Sequence, residues 1–378
     1  MKAYHICHHT DMDGITAAAV IYEYLKIKNK RENTKAKYLF YKIDYSMDLR
    51  TVLPSNLPVQ DEIYFVDYSF SNSDNLNYMF ELGNKGNKIV WIDHHKTSHN
   101  LVNDPSIQSR EIYRNACIDY YINTEYCGAY LAYLYAILSL DPLFSRDVGY
   151  IINSHIDKVH NYIEYIPLFI KYVDSWDTWK HNLDKTTEFN HGMKSIKHAP
   201  TNLFSMIFKY NSALIENLFS IEDGNHAVVE SYMTKFITEA ISKGTTIMEY
   251  NEIENEEICD YYGYECMIVD HTENKQYNCF VVNKRGDSTM FGDRIYNYDI
   301  VISYQFIGDQ HKYSLYTAKD INCAALASRL GSVSGLGGGG HKQAAGFQMQ
   351  DNIFKSNSVL HITNKIFNKN KYDAFITY

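Results

Sequence analysis

The stretch Ala3-Tyr4-His5-Ile6-Cys7-His8-His9-Thr10-Asp11-Met12-Asp13-Gly14 decides the fold. Residues 3–9 read as a short strand, and Gly14 to Lys28 is a run of good helix formers that reads as a helix. A strand followed at once by a helix is the first step of a parallel α/β sheet. In such sheets ligands bind beyond the carboxyl ends of the strands, where His9, Asp11 and Asp13 stand. Side chains in extended chain alternate with period two, so the two carboxylates share a side and His9 lies with Asp11. His9 is thus better placed than His8. Taken alone, the segment is most simply an Asp-rich turn that caps the helix.

Further along, 37–43, 62–66 and 88–92 read as strands, and Ser71 to Leu82 as a helix ended by a left-handed cap at Gly83. The alternation predicts a parallel sheet with helices on both faces. Residues 126–180 and 201–250 read as largely helical, with a long helix from about His226 to Tyr250. The composition then changes. Residues 257–317 read as strands and turns, Cys323 to Leu330 as a helix, and a glycine run follows at 335–340. The expected organisation is an α/β domain over 1–185, a helical linker over 186–254, a smaller α+β domain over 255–350, and a polar tail over 351–378, read as one helix.

A chain of 378 residues with 45% hydrophobic and 21% charged residues builds real cores, in two domains more readily than one. The net charge of -9 disfavours a long duplex as the main ligand. Bound divalent cations would offset a cluster of carboxylates. The 7 cysteines are scattered without a CxxC pair, which argues against a disulfide framework and a zinc knuckle and makes a reducing cytoplasm the expected compartment. No signal-peptide pattern and no apolar run of membrane-spanning length is evident, so no membrane partner is expected. The 34 tyrosines suit nucleotide stacking or the interface of a homodimer, and coding bias produces the same enrichment.

Other strand ends carry the same chemistry. Asp67 follows an apolar run and, alone, is a turn residue. Trp91-Ile92-Asp93-His94-His95 is harder to explain by packing, because adjacent histidines cannot both face a core. Asp174-Ser175-Trp176-Asp177 follows a helical stretch and offers a further carboxylate, from Asp174 or Asp177. Gathered at one sheet edge, these groups supply hard ligands for a pair of divalent cations. Glycines 337–340 would let backbone N–H groups approach an anion, with His341 beside them.

The order and spacing of these motifs resemble the DHH phosphoesterase superfamily over about residues 4–180. Gly337-Gly338-Gly339-Gly340-His341-Lys342-Gln343-Ala344-Ala345-Gly346-Phe347 is similar to the signature of the DHHA1 domain that accompanies it. The resemblance implies an α/β fold with a parallel-sheet DHH domain, helices, and a smaller α+β DHHA1 domain. It implies His9, Asp11 and Asp67 as ligands of one metal, and Asp13, Asp67, His94 and Asp177 as ligands of a second, with Asp67 bridging. Mn2+ is the expected ion and Mg2+ the alternative. His95 would contact the phosphate or protonate the leaving oxygen, and Asp93 would orient a histidine. Gly338, Gly339, Gly340 and His341 would hold a phosphate of the substrate. The chain departs from the family pattern at Cys7, where many relatives place the first histidine. It departs again at Ser314-Leu315-Tyr316-Thr317, where an expected arginine is missing and Arg294, Arg329, Lys342 or Tyr316 would substitute.

The implied activity is hydrolysis of short oligoribonucleotides or linear dinucleotides to mononucleotides, as in the nano-RNase (NrnB-like) branch. A substrate would bridge the metal-bearing and glycine-bearing domains. The alternatives are a 3'-phosphoadenosine 5'-phosphate phosphatase, a RecJ-like exonuclease, a pyrophosphatase, and a non-catalytic nucleotide-binding module. The last requires loss of acidic ligands, and the sequence retains them.

Overall fold

The computed structural model describes residues 1–108, 116–156, 166–195, 226–270, 272–350, 353 and 363–367. It divides into two compact units, Met1–Thr245 and Thr246–Tyr378. The first unit runs β1 (Lys2–His8), α1 (Met12–Arg31), β2 (Ala36–Lys42), α2 (Leu49–Val52), β3 (Glu62–Val66), α3 (Ser73–Asn84) and β4 (Lys88–Asp93). It continues with α4 (Lys96–Asn103), α5 (Pro105–Gln108), β5 (Ile118–Ile122), α6 (Gly128–Leu140), α7 (Val148–Ser154), α8 (Leu168–Asp177) and α9 (Thr186–Ser195). The unit boundary falls inside α10 (His226–Tyr262).

All the strand pairs of the first sheet are parallel, in the order β2-β1-β3-β4-β5. Successive residues of each central strand feed opposite cores. Ile6, Tyr64, Val66, Val90 and Ile92 pack with α1 and α6 on one face. Cys7, Ile63, Phe65, Ile89 and Trp91 pack with Leu76, Met79 and Phe80 of α3 on the other. Burial on both faces explains the unbroken apolar runs that made β3 and β4 readable. Each such side chain contributes about 1.5–3 kcal/mol by leaving water. The chain steps from β1 outward to β2 and returns to the other side of β1 at β3, so the connections diverge between β1 and β3. That divergence opens a crevice at the carboxyl ends of these strands.

α9 and α10 approach unusually closely through glycines. A Cβ added at Gly192 would sit 1.7 Å from the Ala240 carbonyl oxygen, and one added at Gly244 would sit 1.7 Å from that of Glu188. Only glycine admits these backbone contacts.

The second unit holds β6 (Tyr264–Asp270), β7 (Lys275–Val282), a turn of 3-10 helix at Ser288–Phe291, α11 (Arg294–Asn297), β8 (Ile300–Ile307) and β9 (Gln310–Tyr316). It then forms α12 (Cys323–Ser334), β10 (Gly338–Gly340), β11 (Ala344–Met349) and β12 (Thr363–Phe367). Its sheet has the order β10-β11-β9-β8-β7-β6-β12 and is mixed, with β7 and β8 parallel and the other pairs antiparallel. Cys323, Leu326, Ala327 and Leu330 of α12 pack with Ile268, Ile302, Leu315 and Phe347 of this sheet. The chain is therefore an α/β protein with a parallel-sheet domain and a second, mixed-sheet domain.

Gly83 is inside α3 and does not cap it; the left-handed glycine is Gly86, with φ of 97°. Gly83 instead lies against the chain entering β5, where an added Cβ would meet that of Ala116 at 3.0 Å. β5 was not anticipated, because Asp119 interrupts it and only its last residues are buried. Residues 363–367 form a strand beside β6, where a helix was expected. The glycine run is an edge strand: Gly338 pairs with Phe347 and Gly340 with Ala345. The helical expectations for 157–165 and 196–225 lie outside the described residues. Among the described residues no helix is long and apolar enough to cross a membrane.

Candidate metal centre

Three strand ends and one helix end deliver acids and histidines to the crevice. Asp11 is the N-cap of α1, and its Oδ1 accepts from the Gly14 amide at 3.0 Å. The cap leaves Oδ2 facing His9, whose Nδ1 is 2.6 Å away. Gly14 is required here, since an added Cβ would meet the His9 carbonyl oxygen at 2.5 Å. Two residues on, Asp13 is buried, and its two oxygens accept from the Gly128 and Ala129 amides at 2.6 and 2.7 Å. A carboxylate at the N-terminus of α6 is favoured by the helix dipole as well as by these bonds.

Asp67 follows β3 with a left-handed backbone, φ of 51°. Its amide donates to the Ile92 carbonyl at 2.9 Å, which ties the residue to the end of β4. Asp67 Oδ1 is 3.3 Å from His94 Nε2, and Oδ2 is 3.8 Å from His9 Nδ1. His94 Nε2 also lies 3.6 Å from Asp13 Oδ2 and 3.2 Å from Asp177 Oδ2. Donor atoms of His9, Asp11 and Asp67 thus converge, and so do those of Asp13, His94 and Asp177. A further convergence joins Asp67, Asp93, His94 and His95.

The roles within each motif separate on geometry. His8 is buried and its Nδ1 hydrogen-bonds the His9 backbone oxygen at 2.7 Å. Asp174 is committed elsewhere: it accepts from the Cys127 amide and from Lys180 Nζ, both at 2.8 Å. Asp177 at the end of α8 is the carboxylate that reaches His94. Asp93 accepts from His95 Nδ1 at 2.8 Å and from the Ser98 hydroxyl. The hydroxyl of Tyr45 is 3.2 Å from His95 Nε2, and the Tyr45 ring lies 5.0 Å from that of His9.

The electrostatics are those of a cation site. Burial and the neighbouring acids raise Asp67 well above the carboxylate range. Burial and Asp177 push Asp13 up to about 7, and burial and Asp11 push Asp177 up to about 7. Burial lowers His95, but Asp93 overrides it and the imidazole rises to about 9. Burial and the nearby His95 hold His94 down, which suits a neutral imidazole ligand. Among the described residues, Asp67 Oδ2 and Asp177 Oδ2 are buried with no hydrogen-bond partner. Orphaned, mutually repelling carboxylate oxygens beside a neutral imidazole fit divalent metal, which would satisfy the oxygens and cancel the repulsion.

Tyr45, Ser98 and the amides of Gly128 and Ala129 were not singled out by the sequence. Tyr45 and Ser98 carry no motif, and backbone amides have no residue signature. The residues proposed to bind phosphate are in the second unit and have structural duties. A Cβ added at Gly338 would meet the Ala327 carbonyl oxygen at 2.2 Å, so this glycine lets β10 lie against α12. Gly339 has open space where a side chain would be, and Gly340 has φ of 140°. The His341 amide donates to the Ala344 carbonyl at 2.7 Å. The candidate substitutes for the missing arginine are all engaged: Arg294 with Asp260, Arg329 with Asp270 and Glu273, Lys342 with Asp320, and Tyr316 with the Gly286 carbonyl.

Among solved structures, an uncharacterized protein from Helicobacter pylori G27 is 14% identical with a TM-score of 0.34, covering 99% of this chain and 98% of that one. RecJ in complex with Mn2+ from Thermus thermophilus is 14% identical with a TM-score of 0.42, covering 92% of this chain and 49% of that one. A pGpG-specific phosphodiesterase, PggH, from Vibrio cholerae is 11% identical with a TM-score of 0.36, covering 92% of each chain. At these scores none of the likenesses bears on function. No curated protein matches the sequence. Residues 4–138 match the DHH family, N-terminal domain, a span that contains His9, Asp11, Asp13, Asp67, Asp93, His94 and His95. Over residues 4–138 the chain is similar to the DHH family, N-terminal domain.

Proposed function

We propose that the chain is a metal-dependent phosphodiesterase that hydrolyses short oligoribonucleotides or linear dinucleotides to mononucleotides. The observation that carries this reading is Asp67, whose two carboxylate oxygens face different ligand groups, His94 through Oδ1 and His9 through Oδ2. His9, Asp11 and Asp67 would hold one cation, and Asp13, Asp67, His94 and Asp177 a second. Such a pair would supply Lewis-acid stabilisation of a phosphoryl group and a bound water of lowered pKa. Mn2+ suits the mixture of imidazole and carboxylate donors, and Mg2+ is the alternative.

The chain's own residues supply the rest. Asp93 accepts from His95 Nδ1–H and raises the imidazole to about 9 in the metal-free protein. Its Nε2–H is then directed at the Tyr45 hydroxyl oxygen and is the proton available to a leaving oxygen. Asp13, held by the α6 amides, cannot swing away as the site changes charge. In the second unit, Gly338, Gly339, Gly340 and His341 would hold a terminal phosphate of the substrate. The acidic total supports short ligands over long duplexes.

The test uses purified protein with Mn2+ against pApA, a labelled five-mer, a twenty-mer and 3'-phosphoadenosine 5'-phosphate. The reading expects metal-dependent mononucleotide release from pApA and the five-mer. Release from the phosphoadenosine alone would instead mark a phosphatase. No hydrolysis of any of them would refute the reading.

A further inference from the structure

A cavity of about 300 Å³ adjoins the candidate metal centre within the first unit, between the start of α1 and the α8–α9 pair. Asp11, Asp13 and Asp177 line one side of it, so it opens directly onto the proposed cation ligands. The rest of its wall is of another character. Tyr172, Trp176 and Phe189 contribute aromatic rings, and Lys194 sets an ammonium group at the exposed edge. Lys194 Nζ is 5.5 Å from the centre of the Trp176 ring. Asn190 also lines this cavity, is 5% exposed, and has an amide nitrogen buried with no hydrogen-bond partner among the described residues.

An unmatched buried amide donor costs free energy unless a ligand completes it. Folding here does not lack alternatives: Thr186 and Ser195 on the same helix both satisfy their hydroxyls locally. The glycine contacts of α9 with α10 hold the backbone that carries Asn190. Aromatic and apolar walls, one polar donor and a cationic edge are the lining of a small-molecule site. A ring with a flat hydrophobic body and a hydrogen-bond acceptor on its edge matches all of these at once. A phosphate does not, because acids and aromatic rings dominate the wall.

We propose that this cavity is a nucleobase subsite. It would hold the base of the nucleotide whose phosphate lies at the metal centre, with Asn190 Nδ2 donating to a ring nitrogen or carbonyl on the base. Trp176 would supply stacking surface. The proposal rests on the phosphodiesterase reading for the position of the phosphate, but not for the affinity of the cavity for a base.

Calorimetry with the full chain and Mn2+ tests it, using adenosine 5'-monophosphate, ribose 5-phosphate and adenosine, on wild type, Asn190→Leu and Trp176→Ala. The expected result is that the monophosphate binds at least about 10-fold more tightly than ribose 5-phosphate, the contribution of one hydrogen bond and stacking. Asn190→Leu should cut that ratio roughly 5-fold. Trp176→Ala changes a half-exposed residue, keeps the test open should the leucine variant fail to fold, and should cut the ratio as well. Equal binding of the two phosphates by wild type would overturn the proposal, as would a ratio unmoved in every variant that folds. If neither phosphate binds while adenosine does, with the adenosine affinity reduced in the variants, the base subsite stands and the phosphodiesterase reading fails.

Discussion

His94 Nε2 lies 3.2 Å from Asp177 Oδ2, joining the end of β4 to the end of α8 across the crevice of the parallel sheet. This pairing distinguishes Asp177 from Asp174, which is tied to Cys127 and Lys180. Asp177→Asn should therefore weaken binding of a single cation, whereas Asp174→Asn should act through stability. Mn2+ titration by calorimetry, alongside thermal melts, separates the two. A lost cation in Asp174→Asn with an unaltered melt would contradict the assignment.

His95→Ala should keep its cations and lose about 10²–10⁴-fold in turnover, the usual worth of a placed general acid. Asp93→Asn should follow in the same direction, because it removes the anion that holds His95 Nδ1. The alternative is geometrically open, since His95 and Asp93 also converge with Asp67 and His94. Loss of a Mn2+ site in His95→Ala would make His95 a ligand.

In the metal-free protein the contribution of Asp13 and Asp177 to stability should be lost as pH rises from about 4 to 7, opposed by the gain from His8, which burial lowers to about 4. Asp13 and Asp177 are pushed up to about 7 in the folded state, while unfolded aspartate titrates near ~3.9. Between these values the folded state holds protons that the unfolded state has released, so their stabilising contribution is present below the window and lost through it. His95, raised to about 9 from an unfolded value near ~6.5, extends the loss to higher pH. Added Mn2+ should raise the melting temperature more at pH 7.5 than at pH 5. A metal-induced increment that is equal or larger at pH 5 would contradict this.

Gly192→Ala should destabilise the protein by about 1–3 kcal/mol, because the new methyl meets the Ala240 carbonyl with no room to yield. Chemical denaturation measures the change. Wild-type stability in this variant would show that α9 and α10 do not pack as described.

The central strands were legible because a parallel strand buried on both faces carries an unbroken apolar run, as in residues 63–66 and 89–92. The acids and histidines of the crevice were legible for a related reason, as polar residues placed directly after those runs. β5 escaped because Asp119 breaks its apolar pattern. β10 escaped because glycine has low strand propensity, and its strand form depends on Phe347 across the ladder and α12 beneath. Asn190 and Trp176 could not be foreseen as neighbours of Asp11, since the α8–α9 pair meets α1 only in the folded chain.

His341→Ala should lower catalytic efficiency most on the shortest substrates, which have the fewest other contacts. Efficiency in the wild type should fall past about five nucleotides, because longer strands need a basic groove to follow them. A series from dinucleotide to twenty-mer measures both. Equal or rising efficiency toward the twenty-mer would favour a RecJ-like exonuclease.

The central claim is that Asp67 joins two cation sites. Its most direct test is the number of Mn2+ ions bound per chain, by calorimetry and elemental analysis, in wild type, Asp11→Asn and Asp67→Asn. Wild type should bind two ions, Asp11→Asn should retain one, and Asp67→Asn should lose both or weaken them by more than about 100-fold. Asp67→Asn that still binds two ions with wild-type affinity, or a wild type that binds none, would contradict it.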